Sequence, residues 1–297
     1  MMVVNPIKVT DAVLLSSSVA ESEAAPYAAG TTYALNALCI YQHRVYRSLQ
    51  AGNAGHTPGA TGNEAWWEDK GPTNRWAMLG DDPSVSTSAA EAITVRLAPG
   101  MVRALCLPDV DAGAVQARMY FGAEKVYDSG VIDLRDERHV VDAYSYFFGK
   151  FRSRTTVLLT DLPPYAAGEI ELTISRPGGT VRCAPLVVGE LDAYGEDEFG
   201  VSVGIKDYSY VNFTSTGKGT LTKRGFAKTM DVPMVLERDE VDRAFVGIAA
   251  LRATPALYII GSGQYDCLVA YAIASFRISI PNAKKSRCTL SLQGLTQ

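Results

Sequence analysis

Short apolar runs that alternate with polar residues constrain this chain more than any other feature of its sequence. Between Ile93 and Val188 several such runs follow one another, and Pro, Gly and Asp separate them, as in the segment 177–179. Alternation with a period of two is typical of half-buried strands, and several short strands at this spacing predict a β-sandwich or jelly roll. The aromatic stretch Asp142–Phe151 fits either a short helix or an irregular crossover.

The rest of the chain has a different composition on each side of this region. An amphipathic stretch, Asp239–Leu251, carries apolar residues at helical spacing, and Asp239 is a candidate N-cap. We therefore predict a mainly β, multidomain protein with one main helix. Its four predicted segments are an N-terminal strand and linker (1–25), a small aromatic-rich β module (26–83), a β-sandwich or jelly roll (84–188) and an α+β domain (189–297).

Composition excludes several classes of function. Charged residues make up 20% of the 297 residues and the net charge is −4, so no nucleic-acid partner is expected. The five cysteines are widely spread and include no C-x-x-C pair, which argues against zinc and against a disulfide framework. No apolar run approaches the roughly 20 residues that span a bilayer, and the N-terminus lacks the basic region of a signal peptide. We expect synthesis in a cytoplasm, no membrane insertion and no cofactor.

The search for catalytic motifs is mostly negative, which predicts that the protein is not an enzyme. One match to G-x-S-x-G occurs at 200–204, but its flanks are typical of one continuous strand, whereas a nucleophile elbow needs a helix directly after the serine. All three histidines also precede this serine, although that class of hydrolase places its histidine last. The acidic cluster 190–198 lacks the ligand spacing of an EF-hand, so a solvated loop is favoured over a metal site.

The three tryptophans lie together in the turn-rich segment 62–82, and four tyrosines precede them in the same module. A module this small has little apolar surface, so several of these rings must form its core. Exposed rings would instead stack on sugars or on a partner protein, and both interpretations remain open. Because adjacent residues of an extended segment face opposite ways, we expect one residue of the Trp66-Trp67 pair to be exposed. The candidate glycan- or partner-binding residues are Trp66, Trp67, Trp76, Tyr46 and Tyr41.

Part of this module resembles the small chitin-binding modules of bacterial chitinases. The resemblance rests on YAAGTTY at 27–33, CIY at 39–41, VYRSL at 45–49, Asn53, Pro58 and the Trp66-Trp67 pair. It departs from the family pattern at 42–44, where Gln-His-Arg stands in place of a glycine after the middle tyrosine. The resemblance implies the fold of such a module and a surface that binds a glycan.

Other segments resemble structural proteins of tailed bacteriophages. They are GPTNRWAM at 71–78 and, in the last predicted domain, the segments 188–191, 194–195, 204–209, 223–228 and 251–255. This resemblance implies a non-enzymatic virion protein of the tail tip or baseplate, made in the host cytoplasm. Its expected partners are copies of itself in a symmetric homo-oligomer, other tail and baseplate proteins, and a host cell-surface glycan. The alternative is a receptor-recognition protein that binds host glycan through the Trp66, Trp67 and Trp76 cluster.

Overall fold

The computed structural model describes residues 1–136, 142–148, 152–213, 216–261, 265–282 and 284–295. Strands account for 51% of the residues and helical segments for 9%, so the protein is mainly β, with several antiparallel sheets and one main helix. The strands are β1 (Met2–Pro6), β2 (Leu14–Ser17), β3 (Leu38–Tyr41), β4 (Arg44–Ser48), β5 (Trp67–Pro72), β6 (Thr87–Leu97), β7 (Ala104–Leu107), β8 (Asp109–Asp111), β9 (Ala114–Phe121), β10 (Glu124–Asp128), β11 (Ile132–Asp133), β12 (Arg135–Asp136), β13 (Arg152–Ser153), β14 (Val157–Leu159), β15 (Gly168–Ala184), β16 (Val187–Ala193), β17 (Glu196–Asp197), β18 (Ser202–Asp207), β19 (Tyr210–Phe213), β20 (Gly219–Thr222), β21 (Phe226–Glu237), β22 (Ala256–Ile259), β23 (Val269–Ser279) and β24 (Lys285–Gly294). The helices are α1 (Asn74–Ala77), α2 (Ala143–Phe148) and α3 (Val241–Ala250), with 3₁₀ turns at Arg238–Glu240 and Asp266–Leu268.

The larger of two main sheets gathers strands from distant parts of the chain. In the described residues its order is β14-β7-β16-β1-β22-β23-β24-β21-β17, and β18 also pairs with β21. Strand β1 lies in the middle, where Met2 is opposite Ala193 on one side and Ile259 on the other. In β24 buried and exposed residues alternate strictly, so its apolar side chains line one face. Helix α3 covers that face through Ala244 and Ile248.

The second main sheet has the order β10-β9-β15-β6-β2, with β11 on β9 and β8 on β15. Its buried face shares one apolar core with Leu105 and Leu107 of β7, so part of the larger sheet packs on it as in a sandwich. The turn expected at 177–179 is instead a register shift within the single long strand β15. The larger sheet includes strands from before and after residue 188, and the division into four segments stays a prediction.

Three local predictions need correction or completion. Helix α3 begins at Val241 after a 3₁₀ turn, so Glu240 and not Asp239 is its N-cap residue, without a side-chain capping bond. Phe245 has helical spacing to the buried Ile248 but is 55% exposed, because Ala244 faces the sheet in its place. For the segment 142–151, where a helix and a crossover remained open, residues 143–148 form the short helix α2, and 149–151 lie outside the described residues.

Candidate functional site

The aromatic module is built on the three-stranded sheet β3-β4-β5. Strands β3 and β4 are joined at Gln42 and His43, whose φ angles of 48° and 62° are those of a two-residue type I′ hairpin turn. Cys39, Tyr46 and Trp67 of this sheet pack with Tyr33, which precedes β3, in one small buried core. Several of the predicted rings therefore form a core.

Trp67 is a core residue of this module. Its side chain is 5% exposed and its ring makes an edge contact with Tyr33 at a centroid distance of 5.0 Å. The indole Nε1 donates a hydrogen bond of 2.7 Å to the carbonyl oxygen of His56. Burying the ring removes a large apolar area from water, and the hydrogen bond satisfies its one polar atom. Trp67 thus ties the loop that contains His56 to the sheet.

Tyr46 is also buried, and its burial is the main cause that raises the pKa of its phenol. Gly59 lies against the Tyr46 side chain. A Cβ atom at position 59 would lie 2.8 Å from the Tyr46 hydroxyl oxygen, so only glycine fits there without a shift. The loop after β4 is held by buried Asn53, whose Nδ2 donates to Ser48 Oγ at 3.0 Å and to the Trp66 carbonyl oxygen at 3.3 Å. These residues give the module its shape and leave little of the Tyr46 ring to a ligand.

Trp66 and Tyr41 are half-buried and form the more accessible part of the aromatic cluster. The Trp66 ring is stacked on His56 with centroids 3.8 Å apart and an angle of 12°, so His56 covers one of its faces. Tyr41 contacts the edge of Tyr27 at 5.6 Å. Of the Trp66-Trp67 pair, Trp66 is the less buried, but it lies in the turn before β5 and neither residue is exposed. A binding role for the predicted residues stays a prediction.

Trp76 does not join the other two tryptophans. It lies in α1 and packs against the apolar core of the sandwich, whereas Trp67 is buried in the core of the module and Trp66 packs against that core. Its ring is stacked on His43, with centroids 4.2 Å apart. Two residues later, Met78 is fully buried in the sandwich core, and its carbonyl oxygen accepts a hydrogen bond from the Leu186 N–H. The segment 74–79 thus connects the module to the sandwich.

His43 is the centre of this junction. Its Nδ1 lies 2.9 Å from Glu21 Oε1 and its Nε2 lies 3.0 Å from Asp11 Oδ1. Thr73 donates its hydroxyl to Glu21 at 2.7 Å and its N–H to the His43 carbonyl oxygen at 2.8 Å. Burial lowers the pKa of His43, but hydrogen bonds to the two carboxylates outweigh it and the pKa is raised above 6.5. Sequence reasoning missed this arrangement, and its one signal was the departure from the chitin-binding pattern at 42–44.

A second candidate site is the arm, which we define as the described residues 202–213 and 216–226. Strand β18 extends along β21 to the Asp207–Phe226 pair, and β19 then pairs with β20 as a separate two-stranded hairpin. All residues of β18, β19 and β20 are exposed, including apolar Ile205, Phe213 and Leu221 at 66%, 70% and 69%. The arm therefore presents a surface suited to contact with another molecule.

The arm also contains the serine of the G-x-S-x-G match. Ser202 lies in β18 opposite Asp231, within a strand that continues to Asp207. A nucleophile elbow would require a helix directly after the serine, so this local geometry favours a chance match.

A cleft of about 610 Å³ lies beside the base of the arm, next to Ile205 and Phe226. Lys228 contributes to its wall, but the Nζ atom donates to the Val269 carbonyl oxygen at 2.7 Å and to that of Asp266 at 3.3 Å. Burial lowers the pKa of Lys228. Its ammonium group is thus used to join β21 to the start of β23.

The fold and these two sites define a mainly β protein with a small aromatic module and an exposed β arm. Among the described residues, no group of three or more His, Cys, Asp or Glu side chains is placed to hold a metal ion. Likewise, the described part of the chain contains no helix that is long and apolar enough to cross a membrane. Comparison with models of protein families, with characterised proteins and with solved structures gave no match.

Proposed function

We propose that this protein is a non-enzymatic structural component of a phage tail tip or baseplate, which assembles with copies of itself and with other tail proteins. The observation that carries this proposal is the exposed arm. A two-stranded hairpin is marginally stable alone in water, and monomeric proteins rarely expose contiguous apolar surface. An arm of this kind gains stability when a neighbouring subunit covers it.

The apolar side chains of the arm are large enough to drive association. Full burial of one Ile, Leu or Phe side chain contributes about 1.5–3 kcal/mol. Micromolar association requires about 8 kcal/mol, so burial of Ile205, Phe213 and Leu221 with their neighbours supplies a substantial part of it. Assembly is also the function that the resemblance of 71–78 and of the last predicted domain to tail proteins implies.

The test is to locate the protein on particles and to remove the arm. Asp207 and Phe226 are already paired, so an Asn-Gly turn in place of residues 208–225 should close a regular hairpin without disturbing β21. We expect electron microscopy with a specific antibody to label the tail tip or baseplate, and the shortened chain to be missing from particles while it remains folded. A wild-type chain that is abundant in lysates but not found in purified particles would refute the proposal.

Glycan recognition by the aromatic module is the second candidate function. It is favoured by Trp66 and Tyr41, two half-buried rings that both pack against the core of the module and are partly accessible to solvent. Trp67 is unsuitable for the test because it is part of the core. The variant Trp66→Ala/Tyr41→Ala should lose binding to chitin or to host polysaccharide in a pull-down while its circular dichroism stays unchanged. Leu49→Ala, an exposed substitution in the same module, is the control, and equal binding by all three proteins would exclude this function.

A further inference from the structure

We infer that the arm of one copy docks on the opposite end of β21 in a second copy, so that the chain assembles head to tail. The inference rests on the proposed function, since it names the partner and the surface that the arm contacts. It depends on three properties of the described residues: the separation of two surfaces, the chemistry of the arm and the chemistry of the opposite end.

The two surfaces lie at opposite ends of one long strand. The arm joins β21 at Phe226, while Glu237 marks the other end, next to the short edge strand β17. At about 3.3 Å per residue these ends are about 35 Å apart. An arm cannot reach the far end of its own strand, so a contact between the two surfaces must join different copies. Contacts between unlike surfaces are heterologous, and they produce a ring when the rotation closes.

The arm is apolar and basic. Besides its exposed apolar side chains it carries Lys206, Lys218, Lys223 and Arg224 but only one acidic residue, Asp207, in a chain whose net charge is −4. Arg224 lies over the Tyr210 ring at 4.6 Å, which keeps its charge on the hairpin. Two arms placed face to face would bring like charges together, and this disfavours a symmetric arm-to-arm contact.

The opposite end of β21 is complementary to the arm in charge and also exposes apolar surface. Its acidic residues are Glu196, Glu198, Glu237, Asp239, Glu240 and Asp242, and its nearby basic residues are Arg238, Lys284, Lys285 and Arg287. Lys285 Nζ lies 3.1 Å from Glu237 Oε1, and that hydrogen bond is the main cause that raises the pKa of Lys285, with smaller contributions from Glu196 and Glu198. The acidic side chains of this end outnumber the basic ones. Ile280, directly after β23 at this end, is 69% exposed. This end offers exposed apolar surface for the arm to cover and negative charge opposite to that of the arm.

The test uses two charge-reversal variants of the full chain. In Lys206→Glu/Lys223→Glu the arm is altered, and in Glu196→Lys/Asp239→Lys the opposite end is altered. The control for the first is Lys8→Glu/Lys70→Glu, which makes the same change in net charge at exposed positions elsewhere. Sedimentation velocity at micromolar concentration, at about 0.15 M salt and again at about 1 M, measures the oligomeric state.

Head-to-tail docking predicts a specific pattern. The wild type and the control should form an oligomer that weakens at high salt, and each variant alone should be a monomer. An equimolar mixture of the two variants should form dimers and no larger species, because only one intact arm and one intact opposite end remain to pair. A monomeric wild type, unchanged oligomers in either variant, or no complex in the mixture would each overturn the inference. A monomeric wild type that still enters particles would leave the structural role in the tail intact, remove its self-assembly, and assign the arm to a contact with another tail protein.

Discussion

Replacement of Trp67 by alanine should unfold the aromatic module while the rest of the protein stays folded. Removal of a buried Trp side chain costs about 3–5 kcal/mol, and the loss of its hydrogen bond to the His56 carbonyl oxygen adds about 1 kcal/mol. A core of this size, built here on four buried side chains, supplies no more than about 3–5 kcal/mol. The loss therefore matches or exceeds the stability of the module.

Hydrogen exchange resolved by peptide mass spectrometry is the suitable assay, because it reports each part of the chain separately. In Trp67→Ala, peptides from 38–48 and 67–72 should lose protection, whereas peptides from β6, β9 and β15 should keep it. Trp67→Phe retains a buried ring and should cost about 1–2 kcal/mol. Trp66→Ala is the matched control: it loses a stacked pair worth about 0.5–1.5 kcal/mol and should leave the module folded. Equal protection in Trp67→Ala and Trp66→Ala would refute the assignment of Trp67 to the core.

Two further predictions concern the junction and the larger sheet. The raised pKa of His43 means that the folded protein holds this proton more tightly than the unfolded chain, so the stabilisation is complete below about pH 6.5 and is lost as the pH rises through the raised pKa. His43→Gln should therefore lower the melting temperature more at about pH 5.5 than at about pH 8.5, and equal losses at both would contradict the role of Asp11 and Glu21. Gly189→Ala should destabilise by more than about 3 kcal/mol, because its Cβ would overlap the Asn5 carbonyl oxygen between β1 and β16. Gly30→Ala is the control, because a Cβ there meets no atom within 4 Å, and it should change the denaturation midpoint little. If Gly189→Ala lost as little stability as Gly30→Ala, β1 could move away from Gly189 without cost and the prediction would be wrong.

Much of the secondary structure could be predicted, because the alternation of apolar and polar residues is a local property. The runs around Ile93 and Ile170 are strands whose apolar residues face the core. The start of α3 was misplaced because its first turn is a 3₁₀ turn, which the apolar spacing does not distinguish from an α-helical one. The long strand β15 was divided at 177–179 because Pro-Gly-Gly predicts a turn, whereas here it makes a bulge between two paired halves.

The candidate sites depend even more on contacts that local sequence patterns do not reveal. The sequence alone identified the aromatic residues, but adjacency along the chain could not tell that Trp67 joins the module core while Trp76 packs on the sandwich. The junction unites Asp11, Glu21 and His43, which come from a linker and a hairpin turn without a shared motif. Such groups meet only when the intervening chain folds, so no local pattern reveals them.

By itself the sequence determined that this is a mainly β protein with one main helix and a separate aromatic-rich segment, because strand alternation and helical spacing act over a few residues. Only the tertiary structure decided that β1 lies in the middle of the larger sheet and that the tryptophans divide between two cores. It also decided that β18, β19 and β20 are exposed, with β19 and β20 paired as a hairpin outside the larger sheet. Burial and strand register depend on residues far apart in the chain. The free energy that favours one register therefore arises only when these segments pack together.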